Sequence, residues 1–210
     1  MFRSALTVSR RGFAAAAGAE KIAMVGSGNF GSALVRILGQ NALRHPVFDN
    51  EVRMYVHEEM IDGVPLTQII NKEHENVKYL KGAKFTENVV AVPDITDAVK
   101  GATMVCFCLP HQFLKPLMPK IAASVAPGAK LLSAIKGIDF DDKGVVLISD
   151  LLRDGMKADC SVLMGANVAN EVLIIFLSLP KCRTPTFAIC QKCNSKNPKP
   201  PALANSRWPP

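Results

Sequence analysis

The 210-residue sequence has no long uninterrupted apolar run. Its longest runs have six residues, as in 172–177, whereas a helix that crosses a bilayer needs roughly 20. We therefore expect no transmembrane helix. Acidic residues are absent from 172–210, which contain six basic residues, and Glu20 is the only acid in 1–21. The formal net charge of +7 thus comes from the two ends of the chain.

The central part of the chain has no excess of positive charge. Residues 22–171 contain 15 Lys and Arg against 17 Asp and Glu, a net charge of −2. Proteins bind nucleic acid mainly through basic surfaces that neutralise phosphates. The pattern therefore argues against a nucleic-acid-binding core. The length of the chain favours one globular domain of ordinary size.

Metal ligands are sparse. Cys190 and Cys193 form one C-x-x-C pair, but there is neither a second pair nor a nearby histidine to complete a four-ligand zinc site. Cys106, Cys108 and Cys160 lie in apolar, strand-like runs, where free buried thiols are usual. We predict no metal site and a reducing compartment.

The first 20 residues have the composition of a transit peptide. They contain three arginines, several hydroxyl residues and many alanines, with no acid before Glu20. We expect 1–20 to be a targeting or flexible leader, which favours a mitochondrial location. The alternative is an unselected leader on a cytoplasmic protein.

The other end of the chain also differs from the centre. Seven of the 14 prolines fall between Pro180 and Pro210. Prolines at that density cannot continue helices or central strands. We therefore expect 172–210 to be a basic, proline-rich tail that is extended and largely disordered.

Between these ends, strand-like and helix-like segments alternate. Predicted strands are KIAMV, EVRMYV, VVAV, TMVCFCLP, KLLSAIK and CSVLMGA, and predicted helices are SALVRILGQNAL, DGVPLTQIINKE, ITDAVKGA, HQFLKPLMPKIAASV and VVLISDLLRDGM. Apolar strands joined by helices predict a mainly parallel sheet that is covered on both faces. The fold class of 21–171 is therefore α/β, with a Rossmann-like, doubly wound sheet.

A glycine-rich turn follows the first predicted strand. Its pattern, G-x-G-x-x-G between a strand and a helix, is typical of dinucleotide binding. The first glycine permits a tight turn, the second lets the backbone approach a pyrophosphate, and the third lets helix and strand pack closely. The helix N-terminus supplies N–H groups for the anion. The predicted cofactor-binding residues are Gly26, Ser27, Gly28, Asn29, Phe30 and Gly31.

Acidic residues follow the second predicted strand, which should end near Val56. His57 and Glu58 come next, at the place where a carboxylate usually binds the adenosine ribose hydroxyls. A carboxylate there would repel a 2′-phosphate, so NAD is favoured over NADP. Glu58 lies 27 residues after Gly31, against the usual spacing of about 20. A solvated loop is the alternative.

Six segments in order, GSGNFGSA, HENVKYLKG, NVVAVPD, LPHQF, IKGID and LMGANVANE, together resemble eukaryotic-type NAD-dependent glycerol-3-phosphate dehydrogenase. The resemblance covers about 21–171 and corresponds to the N-terminal domain of that family. It implies NAD as cofactor and interconversion of sn-glycerol 3-phosphate and dihydroxyacetone phosphate by hydride transfer. HENVKYL and GANVANE argue against the ketopantoate and 6-phosphogluconate types of dehydrogenase, which share the glycine turn.

The resemblance also implies roles for single residues. Lys136 would polarise the C2 oxygen of the substrate or hold its phosphate. Phe113 would pack near the nicotinamide, although a phenylalanine at a helix start is more often core. Asn167 would bind substrate, with a helix cap as its alternative role, and Ala169 would line the cofactor site. The family commonly has an aromatic residue where His57 stands, so contact with adenine could differ.

The family's C-terminal, all-helical domain, which carries the general-base lysine, has no counterpart in the sequence. Two hypotheses follow. The chain is an incomplete form of the dehydrogenase, or it is a catalytically silent NAD-binding module. The expected partners are glycerol 3-phosphate and dihydroxyacetone phosphate, together with either a second copy of the chain or a full-length subunit. An apolar face left without its helices would favour such association.

Overall fold

The computed structural model describes residues 18–142, 144–163, 165, 169 and 189–190. The elements of these ranges follow the predicted alternation of strand and helix, apart from two short hairpins. In chain order they are β1 (Glu20–Val25), α1 (Asn29–Arg44), β2 (Phe48–Tyr55), β3 (Met60–Ile61), β4 (Val64–Pro65), α2 (Leu66–Glu73), β5 (Val89–Val92), α3 (Ile95–Val99), β6 (Met104–Phe107), a 3-10 turn (His111–Phe113), α4 (Leu114–Ser124), β7 (Lys130–Ser133), β8 (Asp139–Asp141), β9 (Gly144–Val146), α5 (Ile148–Met156), β10 (Cys160–Leu163) and β11 (Ile189–Cys190).

One sheet organises the described residues. Its strand order is β11-β10-β7-β6-β1-β2-β5. Every neighbouring pair is parallel except β10 and β11, which are antiparallel. The six parallel strands, numbered by their order in the chain, give the order 3-2-1-4-5-6 of the doubly wound fold. The predicted fold class is confirmed.

Both faces of the sheet are buried, as the apolar strands predict. In β1, Ile22 and Met24 belong to one core cluster, whereas Ala23 and Val25 belong to the other. Alternate residues of a strand point to opposite faces, so β1 contributes to both layers. α1 and α2 supply residues to the first cluster, and α3, α4 and α5 supply residues to the second.

Two short hairpins stand where the sequence predicted the first residues of two helices. The segment from Asp62 was predicted to be helical, but β3 and β4 pair antiparallel across Asp62 and Gly63, and α2 begins only at Leu66. Both turn residues have positive φ, 49° and 80°, which is the conformation of an Asp-Gly hairpin turn. The helix predicted over VVLISDLLRDGM was wrong for its first residues, because Val145 and Val146 lie in β9 and pair with β8.

No helix in the described ranges is both long enough and apolar enough to span a membrane.

Candidate functional site

The strand order places a crevice at one edge of the sheet. From β1 the chain proceeds through β2 to β5 on one side, and it returns to β6 and β7 on the other side. Ligands of open α/β sheets bind outside the carboxyl ends of the strands at such a reversal point. The segments that follow β1 and β6 are the glycine turn from Gly26 and the stretch from Cys108 to Pro110. The predicted cofactor turn therefore lies at the crevice.

Two of the three glycines are required by packing. Gly26 has φ +117°, and a Cβ built on it would lie 2.3 Å from the carbonyl oxygen of Cys108. A Cβ on Gly31 would lie 2.4 Å from the carbonyl oxygen of Gly26. Both distances are far below any van der Waals contact, so neither position can hold a side chain without movement of the backbone. These glycines let β1, α1 and the segment after β6 approach closely.

Gly28 differs from both. A Cβ built on it would meet nothing within 4 Å. Gly28 is the N-cap residue of α1, no side chain caps this helix end, and its first turn contains no acidic residue. The first N–H groups of a helix have no partner within the helix and carry partial positive charge. The start of α1 therefore has N–H groups of the kind that bind anions, with open space beside Gly28.

The remaining residues of the turn divide between core and solvent. Ser27 is buried, and Asn29 is exposed. Phe30 is 9% exposed and packs in the first core cluster. Ser27 and Phe30 thus anchor the turn, while Gly28 and Asn29 face outward.

A shallow cavity of about 260 Å³ lies beside this turn. It is lined by Gly28, Phe30, Gly31, Cys108, Leu109, Pro110, Ala134, Ile135 and Lys136. Lys136 follows the carboxyl end of β7 and is exposed. Among the described residues that line the cavity, it is the one cation. A cation at this place, next to the glycine turn, attracts a phosphate or a developing oxyanion.

The Cys108 thiol lies in the same wall. Burial raises the pKa of Cys108 to about 11, against an opposing effect of the nearby Lys136 charge. The thiol is therefore protonated at neutral pH, and a nucleophile would need the thiolate. Cys108 therefore contributes packing to the cavity wall.

The other residues implied by the resemblance lie in contrasting environments. Phe113 is 55% exposed on the 3-10 turn, so its side chain is not part of the core, which was the alternative role. Ala169 is buried in the first core cluster together with Ala134 and Leu163. Asn167 lies outside the described residues, as do the tail cysteine Cys193 and the leader up to Ala17.

The expected adenosine side of the site follows β2. His57 and Glu58 are both exposed. The Glu58 carboxylate accepts hydrogen bonds from the Thr67 backbone N–H, at 3.1 Å, and from the Thr67 hydroxyl, at 2.5 Å. Thr67 is the second residue of α2, so Glu58 acts as a side-chain cap for that helix. Each carboxylate oxygen keeps capacity to accept a further hydrogen bond from a ribose hydroxyl.

Sequence reasoning missed a buried polar group beneath the glycine turn. The side chain of Asn76 is completely buried, and its amide donates to the Ser27 carbonyl at 2.8 Å and to the Ser32 hydroxyl at 2.9 Å. The Ser32 hydroxyl also donates to the Ser27 carbonyl, at 3.1 Å. In the sequence, the HENVKYLKG segment contributes only to the family resemblance. No local pattern marks a contact that spans 49 residues.

A second cavity, of about 230 Å³, lies away from the glycine turn and is lined by residues that include Lys21, Asp49, Glu51 and Arg53. Arg53 pairs with Glu51 at 2.6 Å and donates to the Asp97 carbonyl, so its charge is used within the fold. Within the described ranges, no three His, Cys, Asp or Glu side chains form a group that could hold a metal ion.

The strand order, the glycine turn and the uncapped start of α1 define a dinucleotide-binding domain of the oxidoreductase type. Residues 21–177 match the family model described as NAD-dependent glycerol-3-phosphate dehydrogenase N-terminus. The chain belongs to this family.

Similar proteins have the same description. A glycerol-3-phosphate dehydrogenase 1-like protein of Danio rerio is 52% identical over 152 residues, which are 72% of this chain and 43% of the relative. The cytoplasmic NAD(+) glycerol-3-phosphate dehydrogenase of Drosophila virilis is 50% identical over 157 residues, which are 73% of this chain and 44% of the relative. The chain thus spans less than half the length of these curated relatives.

Solved structures agree with the sequence comparison. The glycerol-3-phosphate dehydrogenase of Saccharomyces cerevisiae matches with a TM-score of 0.70 and 39% identity, over 73% of this chain and 44% of the other. The Plasmodium falciparum enzyme matches with a TM-score of 0.70 and 36% identity, over 75% of this chain and 43% of the other. The expected family, its oxidoreductase class and its NAD cofactor are confirmed at the level of the family.

Proposed function

We propose that this chain binds NAD at the carboxyl edge of its sheet and supplies the cofactor half of the reaction sn-glycerol 3-phosphate + NAD ⇌ dihydroxyacetone phosphate + NADH. The observation that carries the proposal is the open, uncapped N-terminus of α1 at Gly28. In this arrangement the pyrophosphate contacts the N–H groups that begin α1. The nicotinamide extends along the cavity wall towards Lys136.

The proposed residue roles follow from these environments. Gly28 and Asn29 face the pyrophosphate, while Gly26, Ser27, Phe30 and Gly31 shape the turn. Glu58 accepts hydrogen bonds from the ribose while it caps α2, and His57 lies beside the adenine. Phe113 and Ala169 belong to the nicotinamide side, with Phe113 making the contact, because it is exposed.

Lys136 is proposed to bind the substrate. Its ammonium group would hold the phosphate or polarise the C2 oxygen, and Asn167 would hydrogen-bond the substrate. Hydride transfer also needs a proton acceptor for the C2 hydroxyl. The described part of the cavity offers the Lys136 cation and a protonated Cys108 thiol, which favours the second candidate function, an NAD-binding module without turnover.

Calorimetry and an NADH assay on the same purified chain separate these functions. NAD binding together with NADH formation from glycerol 3-phosphate would identify a complete catalyst. NAD binding without NADH formation would identify the silent module. If no heat of NAD binding were measured at millimolar cofactor, the proposed function would be wrong.

Lys136→Ala tests the substrate role. The variant should bind NAD with unchanged affinity, because Lys136 lies beyond the glycine turn, but it should lose the effect of glycerol 3-phosphate or dihydroxyacetone phosphate on NAD affinity. Lys115→Ala is a matched control. Lys115 lies in α4, pairs with Asp139 at 2.6 Å and does not line the cavity. An unaltered substrate effect in Lys136→Ala would contradict the assignment.

We propose residues 21–171 as the folded unit, with 1–20 as leader and 172–210 as a tail whose β11 pairs with β10 at the edge of the sheet, because the family match begins at residue 21 and ends close to this boundary. Limited proteolysis should release a resistant fragment with these ends. Protection of the tail beyond residue 177 would contradict the boundary.

A cytoplasmic location is proposed in place of the mitochondrial one. Curated relatives such as the Drosophila virilis enzyme are named cytoplasmic, and no comparison supports import. A fluorescent fusion of the full chain should distribute like the same fusion that lacks residues 1–20. Mitochondrial signal that depends on residues 1–20 would restore the first expectation.

We also propose that the chain associates with a second copy of itself through an apolar surface on and beside the β8–β9 hairpin. Four large side chains there are 45–64% exposed, namely Ile138, Phe140, Val145 and Leu147. Exposed apolar groups of this kind favour association. Sedimentation should show a dimer that is weakened by Phe140→Ser with Val145→Ser. A monodisperse monomer that pairs only with a full-length subunit would select the other expected partner.

A further inference from the structure

The glycine turn is held from below by Asn76, which lies 49 residues later in the chain. The amide group of Asn76 is completely buried. Its Nδ2 donates to the Ser27 carbonyl oxygen at 2.8 Å and to the Ser32 hydroxyl at 2.9 Å. Its Oδ1 accepts from the Tyr79 backbone N–H at 3.2 Å. The acceptor role of Oδ1 fixes which end of the amide faces the turn.

The Ser27 carbonyl oxygen therefore accepts two side-chain hydrogen bonds, from Asn76 and from the Ser32 hydroxyl at 3.1 Å. Both donors are themselves buried. A buried carbonyl with two donors on one side has one orientation. The position of this oxygen is thus set by groups from α1 and from the loop after α2.

Fixing this carbonyl fixes the next N–H group. A peptide unit is planar, and in the trans form its C=O and N–H point in opposite directions. The chain has no cis peptide bond in the described residues. Since the Ser27 oxygen points inward to Asn76, the N–H of Gly28 points outward. A Cβ at Gly28 would meet nothing within 4 Å, so there is open space beside this residue.

We infer that Asn76 is a positioning residue for the anion-binding turn: by holding the Ser27 carbonyl inward, it aims the Gly28 N–H at the pyrophosphate of the bound dinucleotide. This inference rests on the proposed NAD binding. The ligand group it concerns is a diphosphate ester. Asn76 itself touches neither cofactor nor substrate, so its loss should weaken phosphate contacts while sparing contacts to the nucleoside.

The test compares ADP with adenosine as calorimetric probes of the full chain. Asn76→Ala should lower the ADP affinity about tenfold or more, since it disturbs an N–H group that bonds to a charged acceptor. The affinity of Asn76→Ala for adenosine should differ from that of the unsubstituted chain by less than about twofold. Ser32→Ala removes the other donor to the Ser27 carbonyl and suits a helical position, so it provides a second variant that folds. Its loss of ADP affinity should be smaller and in the same direction.

Asn88→Ala is the matched control. Asn88 is a partly buried asparagine whose Nδ2 also donates to two backbone oxygens, of Gly39 at 3.0 Å and of Asn50 at 2.6 Å. Gly39 lies about 16 Å along α1 from Gly28, at the helical rise of about 1.5 Å per residue. This variant should lose stability without any selective loss of ADP affinity.

A spectroscopic readout separates positioning from general destabilisation. The ¹H–¹⁵N resonance of Gly28 should shift on ADP addition in the unsubstituted chain and in Asn88→Ala, but much less in Asn76→Ala and Ser32→Ala. Undiminished ADP affinity in both of these variants would overturn the inference while leaving NAD binding intact. An equal loss of ADP and adenosine affinity would also overturn it, since the role would then be structural. If the unsubstituted chain failed to bind ADP, the proposed function would fall together with the inference.

Discussion

Two helices that start after parallel strands treat their first N–H groups in opposite ways. α3 begins after Asp94, whose carboxylate accepts hydrogen bonds from the N–H groups of Thr96 at 2.8 Å and of Asp97 at 3.1 Å. α1 begins at Gly28, with no side-chain cap and no acid in its first turn. In α3 a carboxylate of the protein accepts from the first N–H groups. In α1 no side chain caps the helix, and the position is open to a ligand.

The comparison extends to α2, where Glu58 supplies the capping carboxylate to Thr67. Three helices thus share one requirement, an oxygen that accepts from the first N–H groups. α2 and α3 meet it with carboxylates of the protein. In α1 the N-cap residue is Gly28, which has no side chain to supply such an oxygen, and the phosphate of a cofactor can take that place. The proposed function uses this missing cap.

The largest expected effect concerns the space beneath the start of α1. Gly26→Ala should lower the free energy of unfolding by about 3 kcal/mol or more, because it adds strain at positive φ and a backbone clash. The Cβ would lie 2.3 Å from the Cys108 carbonyl oxygen. Gly28→Ala is the control and should be close to neutral, because its Cβ meets nothing within 4 Å. Urea unfolding measures both, and equal stability of the two variants would contradict the packing argument.

The second prediction concerns a variant in which α1 gains a capping carboxylate like that of α3. Gly28→Asp should keep or slightly raise stability, since Gly28 already has the extended backbone of an N-cap residue, with φ −63° and ψ −178°, and aspartate is a preferred cap. It should lower NAD affinity about 100-fold or more, because a carboxylate replaces and repels the pyrophosphate. Calorimetry and thermal unfolding test the two halves of this prediction. Undiminished NAD affinity would show that the N-terminus of α1 is not the anion site.

The smallest expected effect comes from Asp94→Ala, which removes the cap of α3. Hydrogen bonds from the Thr96 hydroxyl and from the Asp97 backbone N–H hold the pKa of Asp94 below its ordinary value. A lowered folded-state pKa contributes stability above the unfolded pKa of about 3.9, and this contribution is lost as the pH falls through the folded value. Asp94→Ala should therefore unfold at a lower temperature than the unsubstituted chain at neutral pH.

This difference in unfolding temperature should shrink below about pH 4, where the Asp94 carboxylate of the unfolded chain becomes protonated, and it should shrink further as the pH falls through the lowered pKa of the folded chain. Because Asp94 is exposed, salt should reduce the effect of its charge. NAD affinity should not change in Asp94→Ala. A variant that lost NAD binding would break the division between the capped and the open helix.

Local patterns predicted much of this protein correctly. The apolar strand runs and the helical spacing between them predicted a parallel, doubly wound sheet. The spacing of Gly26, Gly28 and Gly31 predicted the turn between β1 and α1, and the anion site at this turn stays a prediction. These features depend on backbone sterics and on burial of both sheet faces, which are written in short stretches of sequence. The Asp62-Gly63 pair was also a readable hairpin signal, but the helical spacing that follows it obscured the signal.

Tertiary structure alone decided how the site is supported. The role of Asn76 depends on a contact across 49 residues, and the capping of α2 by Glu58 depends on the hairpin between them. The cavity beside Lys136 forms because β1, β6 and β7 lie side by side. The sequence by itself determined the main strands and helices and the open start of α1, since these follow from residues close in the chain. Which distant groups hold that start in place was decided by folding, because a hydrogen bond depends on proximity in space, whatever the separation along the chain.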